Sequence, residues 1–226
     1  MPLTIHAAGV LLDMDGTLID STAVVERLWV EWARAHALEP AAVLGVVHGR
    51  QSHASMALLL PERPHEANLA DAARMLEQEV VQLDGVVEVP GAAAFVASLA
   101  GTPHALVTSA SRALAHARMR AAGVAVPEVV VTAEMVRASK PDPEGFRRGA
   151  ELLGVEPGEC VAFEDSEAGI AAARAAGMRV VGVAVPVGST AARAVDWIVP
   201  DLREVRVVMS GDGGGVTIEL PDRAPD

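Results

Sequence analysis

The stretch AAGVLLDMDGT, residues 7–17, decides how the rest of the chain is read. Its apolar run from Ala7 to Leu12 stops abruptly at Asp13, with no polar residue alternating along it. Such a run predicts a strand buried on both faces, as in the middle of a parallel sheet. Two carboxylates, Asp13 and Asp15, follow at i and i+2, and Gly16 permits a tight turn behind them. Open parallel sheets collect their ligands just past strand C-termini, which is where these acids stand. Asp13 can attack phosphorus as a nucleophile, Asp15 can protonate a leaving oxygen and then activate water, and the pair can share a metal. A turn rich in Asp and Gly is equally an ordinary structural feature, and this segment alone does not choose between the two.

Working outward, a helical pattern runs from Thr22 to about Ala37, with Val25, Leu28, Trp29 and Trp32 on one face. Further helices are expected at 40–47, 51–60 and 65–83, broken at Gly49, Pro61 and Pro64. Four successive helices with no strand between them do not fit βαβ rhythm and predict a helical insert, residues 21–88. From Pro90 the rhythm changes, with strands at 104–107, 129–131, 160–163, 179–183 and 197–199 alternating with helices. The expected fold is therefore α/β, a Rossmann-like parallel sheet with helices on both faces, formed by residues 1–20 and 89–226. Val205–Met209 and Val216–Leu220, around Gly211–Gly215, read as a terminal β-hairpin at a sheet edge.

Three more segments fall at predicted strand ends. Thr108 and Ser109 offer a hydroxyl and exposed amides that can hold phosphoryl oxygens, although Ser109 or Ser111 can equally cap the next helix. Lys140, in Lys-Pro-Asp-Pro, can neutralise a nucleophile and a phosphoryl group together. Glu164 and Asp165 offer oxygen ligands that favour Mg²⁺, with helix capping by Asp165 or Ser166 as the plainer alternative. Each segment has a structural explanation when taken singly. Taken together, in this order and all at strand ends, they assemble a nucleophile, an acid/base, phosphate anchors, a cation and a metal site.

Composition narrows the field from another side. The 226 residues carry a formal net charge of −12 with no basic run, which argues against nucleic acid or an anionic membrane as partner. A single cysteine, Cys160, excludes an internal disulfide. No stretch reaches the length of a membrane span, and the N-terminal residues lack the basic region of a signal peptide, so a cytoplasmic chain is expected. It is expected to be a monomer. Of the 18 basic residues, only Lys140 is lysine. In a chain where arginine serves almost every cationic position, the remaining lysine stands where a compact ammonium is wanted.

On these residues the chain resembles the haloacid dehalogenase superfamily, the aspartate-nucleophile phosphotransferases. The Asp-x-Asp-Gly-Thr pattern stands at Asp13 to Thr17, the strand-end Ser/Thr at Thr108, the lysine of Lys-Pro-x-Pro at Lys140 and the acidic pair at Glu164-Asp165. The resemblance extends along the whole chain and is nearest to sugar, hexitol and glycerol-phosphate phosphatases of the helical-cap branch. It implies hydrolysis of a small phosphorylated sugar or polyol through an aspartyl phosphate. Mg²⁺ would then be held by Asp13, Asp165 and the Asp15 carbonyl, with Glu164 beside them. His48 and Arg50, in a segment resembling those enzymes' cap loop, can bind substrate hydroxyls, with a solvated loop as the equally good plain alternative.

Relatives with other chemistry fit less well. Haloacid dehalogenases lack the second aspartate, which is present here as Asp15. Phosphonoacetaldehyde hydrolases need a cap lysine, and residues 21–88 contain none. β-Phosphoglucomutases carry a cap histidine where this chain has Val25. Receiver domains, which use Asp, Thr/Ser and Lys around Mg²⁺, are about half this length and have no place for a helical insert. Lys140→Arg, conservative elsewhere in such a chain, is expected to lower kcat/KM by about 10²-fold or more. Phosphate release by that variant is the check, and wild-type turnover would undo the assignment.

Overall fold

The computed structural model describes residues 3–47, 51–209 and 215–221. The chain divides into two compact units, residues 1–20 with 87–226 and residues 21–86. It opens with β1 (Leu3–Ala7), β2 (Gly9–Leu12) and the two-residue β3 (Ile19–Asp20). Four helices follow, α1 (Thr22–Ala35), α2 (Pro40–Val47), α3 (Ser52–Leu59) and α4 (His65–Val81). Next come β4 (Val87–Glu88), α5 (Ala92–Ser98), β5 (His104–Val107), α6 (Arg112–Ala121) and β6 (Val129–Val131). They are followed by α7 (Glu144–Leu153), β7 (Cys160–Glu164), α8 (Glu167–Ala175), β8 (Arg179–Val183), α9 (Thr190–Ala194) and β9 (Trp197–Val199). The last two strands are β10 (Arg206–Met209) and β11 (Val216–Leu220).

The larger unit is built on a six-stranded parallel sheet in the order β6-β5-β2-β7-β8-β9. β2 is central, and all four of its residues are buried, as the uninterrupted apolar run demands. Leu11, Val107, Val131 and Ala162 turn to one face, where Phe146 and Ala150 of α7 and Ile170, Ala172 and Ala173 of α8 close the core. Phe163 turns the other way and meets Phe95 of α5 at 4.9 Å between ring centroids. Helices thus cover both faces. The sheet grows from β2 in both directions, so the crevice where strand order reverses lies at the carboxyl ends of β2, β5 and β7.

One expectation is corrected here and another is made specific. The run from Ala7 to Leu12 is not one strand, because the chain breaks at Ala8 and Ala7 belongs to β1. The terminal hairpin forms, and the sheet it belongs to is not the parallel one. Its strand β11 pairs antiparallel with both β1 and β10 in a separate three-stranded sheet, with Leu3 opposite Leu220 and Ala7 opposite Val216. β1 and β11 alternate buried and more exposed residues, the pattern of a sheet covered on one side, whereas β2 is buried throughout. The tip of that hairpin, residues 210–214, lies outside the described residues.

The smaller unit consists of α1 to α4. Its packing face on α1 carries Val24, Leu28, Trp29 and Trp32, with Val24 rather than the expected Val25 buried, in keeping with i, i+4, i+8 spacing. Trp29 and Trp32 meet edge to face at 5.4 Å. The Trp32 indole donates to Asp71 of α4 at 2.9 Å, and Asp71, 5% exposed, also pairs with Arg63 at 2.6 Å and with Arg74. These indoles therefore belong to the packing and the buried polar network of the helical unit. β3 and β4 pair antiparallel where the chain leaves and re-enters the larger unit. No helix among the described residues is long and apolar enough to cross a membrane.

Cys160 begins β7 fully buried, its Sγ 3.4 Å from the Glu156 carbonyl oxygen. Burial, aided by the Glu159 charge, pushes its thiol up to about 11. The thiolate is the reactive form, so native protein at pH 8 is expected to resist a chromogenic disulfide reagent, and denatured protein to react with one equivalent. Stoichiometric reaction of the native protein would contradict the packing described for β7.

Candidate active site

Asp13 leaves the carboxyl end of β2, and its backbone N–H donates to the Phe163 carbonyl of β7 at 3.0 Å. The turn that follows is tied by Gly16, Leu18 and Ile19. Gly16 N–H donates to the Ile19 carbonyl, and the N–H groups of Leu18 and Ile19 donate to the Met14 carbonyl. Gly16 has φ of +88°, and a Cβ there would collide with the Asp165 carboxylate. Both facts call for glycine at this position. Thr17, wholly buried, donates its hydroxyl to Asp165 Oδ1 at 2.9 Å and so ties the first acidic turn to the one after β7.

Lys140 arrives from the loop after β6, and the Lys140–Pro141 peptide is cis. Its ammonium has three acceptors for three N–H bonds: the Asp13 carboxylate, Glu164 Oε1 at 2.7 Å and the Val107 carbonyl at 3.1 Å. The ring of Phe146 lies 5.1 Å below the nitrogen. A guanidinium is longer and planar and does not fit three converging acceptors in this way.

Glu164 is fully buried at the end of β7. Its Oε2 accepts from the backbone N–H groups of Asp165 and Ser166, each at 2.9 Å, and from the Ser166 hydroxyl at 3.0 Å, while Oε1 accepts from Lys140. Three of these bonds crowd on Oε2 and one falls on Oε1, which keeps a further acceptor position. Ser166, not Asp165, caps α8 through Gly169 N–H, which leaves the Asp165 carboxylate to the site.

Among the described residues, Asp13, Glu164 and Asp165 form a cluster whose ligand oxygens lie within 4.8 Å of one another. Burial, with the charges of Glu164 and Asp165 added and only Lys140 opposing, holds the Asp13 carboxyl well above the ordinary carboxylate range. Burial and the Glu164 charge lift Asp165 to about 6. Burial disfavours the Lys140 ammonium too, but Asp13 and Glu164 together outweigh it and hold it above its ordinary value. Three carboxylates against one ammonium leave an excess of negative charge on hard oxygen donors. That donor set fits a divalent cation of the Mg²⁺ type. Glu164 is the most heavily hydrogen-bonded of the three, so Asp13 and Asp165 are the side chains with more room to hold it.

The structure thus gathers Asp13, Lys140, Glu164 and Asp165. Thr108, at the end of β5, is buried, and its Oγ1 accepts from Ala110 N–H at 3.0 Å. Ser111 caps α6 by accepting from Leu114 N–H, and Ser109, two residues earlier, is exposed. Asp15 follows the same turn as Asp13, but its side chain does not join the acidic cluster. Instead its Oδ1 accepts from Arg118 of α6 at 2.8 Å. Arg118 was missed in the sequence, where the available signal was one arginine on the helix face of Leu114, Ala115 and Met119. His48 and Arg50, the expected substrate residues of the insert, lie outside the described residues.

The six-stranded parallel sheet carries acids at its switch point, and a helical insert follows the first of them in the chain. The model of the haloacid dehalogenase-like hydrolases matches residues 7–177, and the chain belongs to that family. It is 40% identical to hexitol phosphatase A of Escherichia coli over 207 residues, which cover 91% of this chain and 96% of that protein. It is 33% identical to a fructose-1-phosphate phosphatase of the same organism, over 78% of this chain and 96% of the relative. Among solved structures, a family hydrolase of Deinococcus radiodurans with bound phosphate and sodium superposes with a TM-score of 0.66. The identity there is 26%, over 85% of this chain and 90% of that one.

Gly169 lies on the first turns of α8, and a Cβ there would overlap the Glu164 carboxylate. Glu164 has no room to move without breaking the bonds to Lys140, Asp165 and Ser166. Gly169→Ala is therefore expected to destabilise the protein by about 2–4 kcal/mol, in spite of the better helix propensity of alanine. Denaturant unfolding measures this, and a neutral or stabilising result would contradict the packing of Glu164.

Proposed function

We propose that this phosphoric monoester hydrolase acts on small phosphorylated sugars or polyols, such as hexose, hexitol or glycerol phosphates, through an aspartyl phosphate formed on Asp13. The observation that carries the reading is the convergence of Asp13, Lys140 and Asp165 at one switch point, with Asp15 on the same turn. The similarity to hexitol phosphatase A over nearly the whole length of both chains supports the substrate class.

In this mechanism an Asp13 oxygen forms a bond to phosphorus as the bond from phosphorus to the sugar oxygen breaks. Asp15 supplies the proton that the leaving oxygen needs. Thr108 and the Ser109 amide hold phosphoryl oxygens at the end of β5, and Lys140 balances the charge gathered on Asp13 and the phosphoryl group. Asp15, now ionised, takes a proton from water. The water oxygen bonds to phosphorus, the bond to Asp13 breaks, and phosphate leaves. Asp13 and Asp165, with the Asp15 carbonyl, would hold Mg²⁺, which would supply further positive charge for the phosphoryl oxygens. Glu164 keeps Lys140 and the start of α8 in place and would stand beside the metal.

A panel of hexose, pentose, hexitol and glycerol phosphates tests the reading by release of inorganic phosphate. Turnover is expected with several members, lost on chelation with EDTA and restored by Mg²⁺. Asp13→Asn is expected to fall by about 10³-fold or more. Retention of near wild-type activity in Asp13→Asn would falsify the nucleophile assignment, and accumulation of an isomeric sugar phosphate instead of inorganic phosphate would make the enzyme a mutase.

A further inference from the structure

Arg118 differs from the other arginines of this chain. Among the described residues it is the one buried arginine, 4% exposed, although it sits in the last turn of α6. Arg120, two positions on, is exposed. An arginine near a helix end ordinarily lays its stem along apolar surface and keeps its head in water. Arg118 does the reverse. Its guanidinium lies inside, on the helix face of Leu114, Ala115 and Met119, and donates through one NH group to Asp15 Oδ1 at 2.8 Å. The carboxylate is the more exposed partner, at 33% against 5%. Burying a guanidinium is costly unless an oxygen acceptor receives it, and here the recipient carboxyl oxygen is 103 residues away on another element. The arrangement is not a by-product of helix spacing.

We propose that Arg118 is the positioning residue of Asp15, holding the acid/base carboxylate in one orientation from behind. The inference rests on the function proposed above, in which Asp15 gives a proton to the leaving group and later takes one from water. Asp15 sits on a turn, and a third of its side chain is open to solvent. A carboxylate so placed samples several rotamers unless something fixes it. Proton transfer needs donor and acceptor atoms about 2.6–3.2 Å apart. A displacement of about 1 Å can cost about 10²-fold in rate. The short bond to a guanidinium that is itself packed into the core fixes one carboxylate oxygen and so the plane of the group.

Asp15 serves the two half-reactions differently depending on the leaving group, and this separates positioning from general damage. With a sugar or polyol phosphate, cleavage of the ester bond needs the Asp15 proton, so a misplaced Asp15 slows formation of the aspartyl phosphate as well as its hydrolysis. With p-nitrophenyl phosphate, the phenolate leaves without a proton. Formation of the aspartyl phosphate then survives, and only hydrolysis by Asp15-activated water is slowed.

The test is rapid-mixing kinetics of Arg118→Met with Mg²⁺ present. Steady-state kcat on the best sugar or polyol phosphate is expected to fall about 10–100-fold with little change in KM. With p-nitrophenyl phosphate, a burst near one equivalent of p-nitrophenolate is expected before slow turnover. In a double-variant cycle, adding Arg118→Met to Asp15→Asn is expected to cost nothing further. Arg118→Gln, which keeps a side-chain N–H donor and polar bulk, is read for the same signatures should methionine at 118 prevent folding. Wild-type kcat in folded Arg118 variants, loss of the burst, or full additivity with Asp15→Asn would overturn the proposal. Absence of phosphate release by the wild-type enzyme would instead overturn the proposed function.

Discussion

Three carboxylates, Asp13, Glu164 and Asp165, are packed within 4.8 Å of one another where water is largely excluded, and one ammonium faces them. Charges of like sign at that spacing repel strongly in a low-dielectric setting. Much of the surrounding architecture answers this constraint. Glu164 is quieted by two backbone amides, a hydroxyl and Lys140. Asp165 is steadied by the buried Thr17 hydroxyl. Glycines stand at 16 and 169, where a methyl group would drive into Asp165 or Glu164. The strand ends of β2 and β7 bring the acids together, and the loop after β6 delivers the lysine.

Each aspartate of the Asp13–Asp15 turn has its own cation, and the two cations differ in kind. Asp13 faces an ammonium with equal, slight exposure on both partners. A compact charge suits that place because it must satisfy a carboxylate, a second carboxylate and a carbonyl at once. Asp15 faces a guanidinium that is buried while the acid is not. A rigid, planar donor suits that place because orientation is what it supplies. The single lysine among 18 basic residues and the single buried arginine among the described ones thus stand against neighbouring acids for opposite physical reasons.

Much of this was legible in the sequence where local chemistry leaves a mark. AAGVLL declares a doubly buried strand because nothing polar interrupts it, and the placement of Asp13, Thr108 and Glu164 at strand ends follows from the abrupt stop of each apolar run. What involves distant partners left little trace. β1 and β11 pair across almost the whole chain, and no property of Leu3–Ala7 announces that its partner is Val216–Leu220. The break at Ala8 was hidden inside an apolar run that continues through it. Arg118 looked like any arginine of a helix in a chain full of them, and only its three-dimensional burial sets it apart. Glu164 and Asp165 read as an equivalent acidic pair, yet hydrogen bonding makes the first a brace and leaves the second for the site.

The two-residue ribbon of β3 and β4 bears on how the chain assembles. β2 must wait for both of its neighbours, because Val10 pairs with His104 on one side and Val161 on the other. Until those segments arrive, its apolar residues have no sheet to join. The pairing of Ile19 with Glu88 and Asp20 with Val87 brings together the two ends of the intervening helical segment. To the rest of the chain, residues 21–86 then count as a short connection, and the entropy lost in joining β2 to β5 is that of a much smaller loop. A change in the length or composition of the helical segment leaves that shortcut intact as long as the ribbon forms. The central sheet can therefore keep its folding route while the segment between Asp20 and Val87 varies.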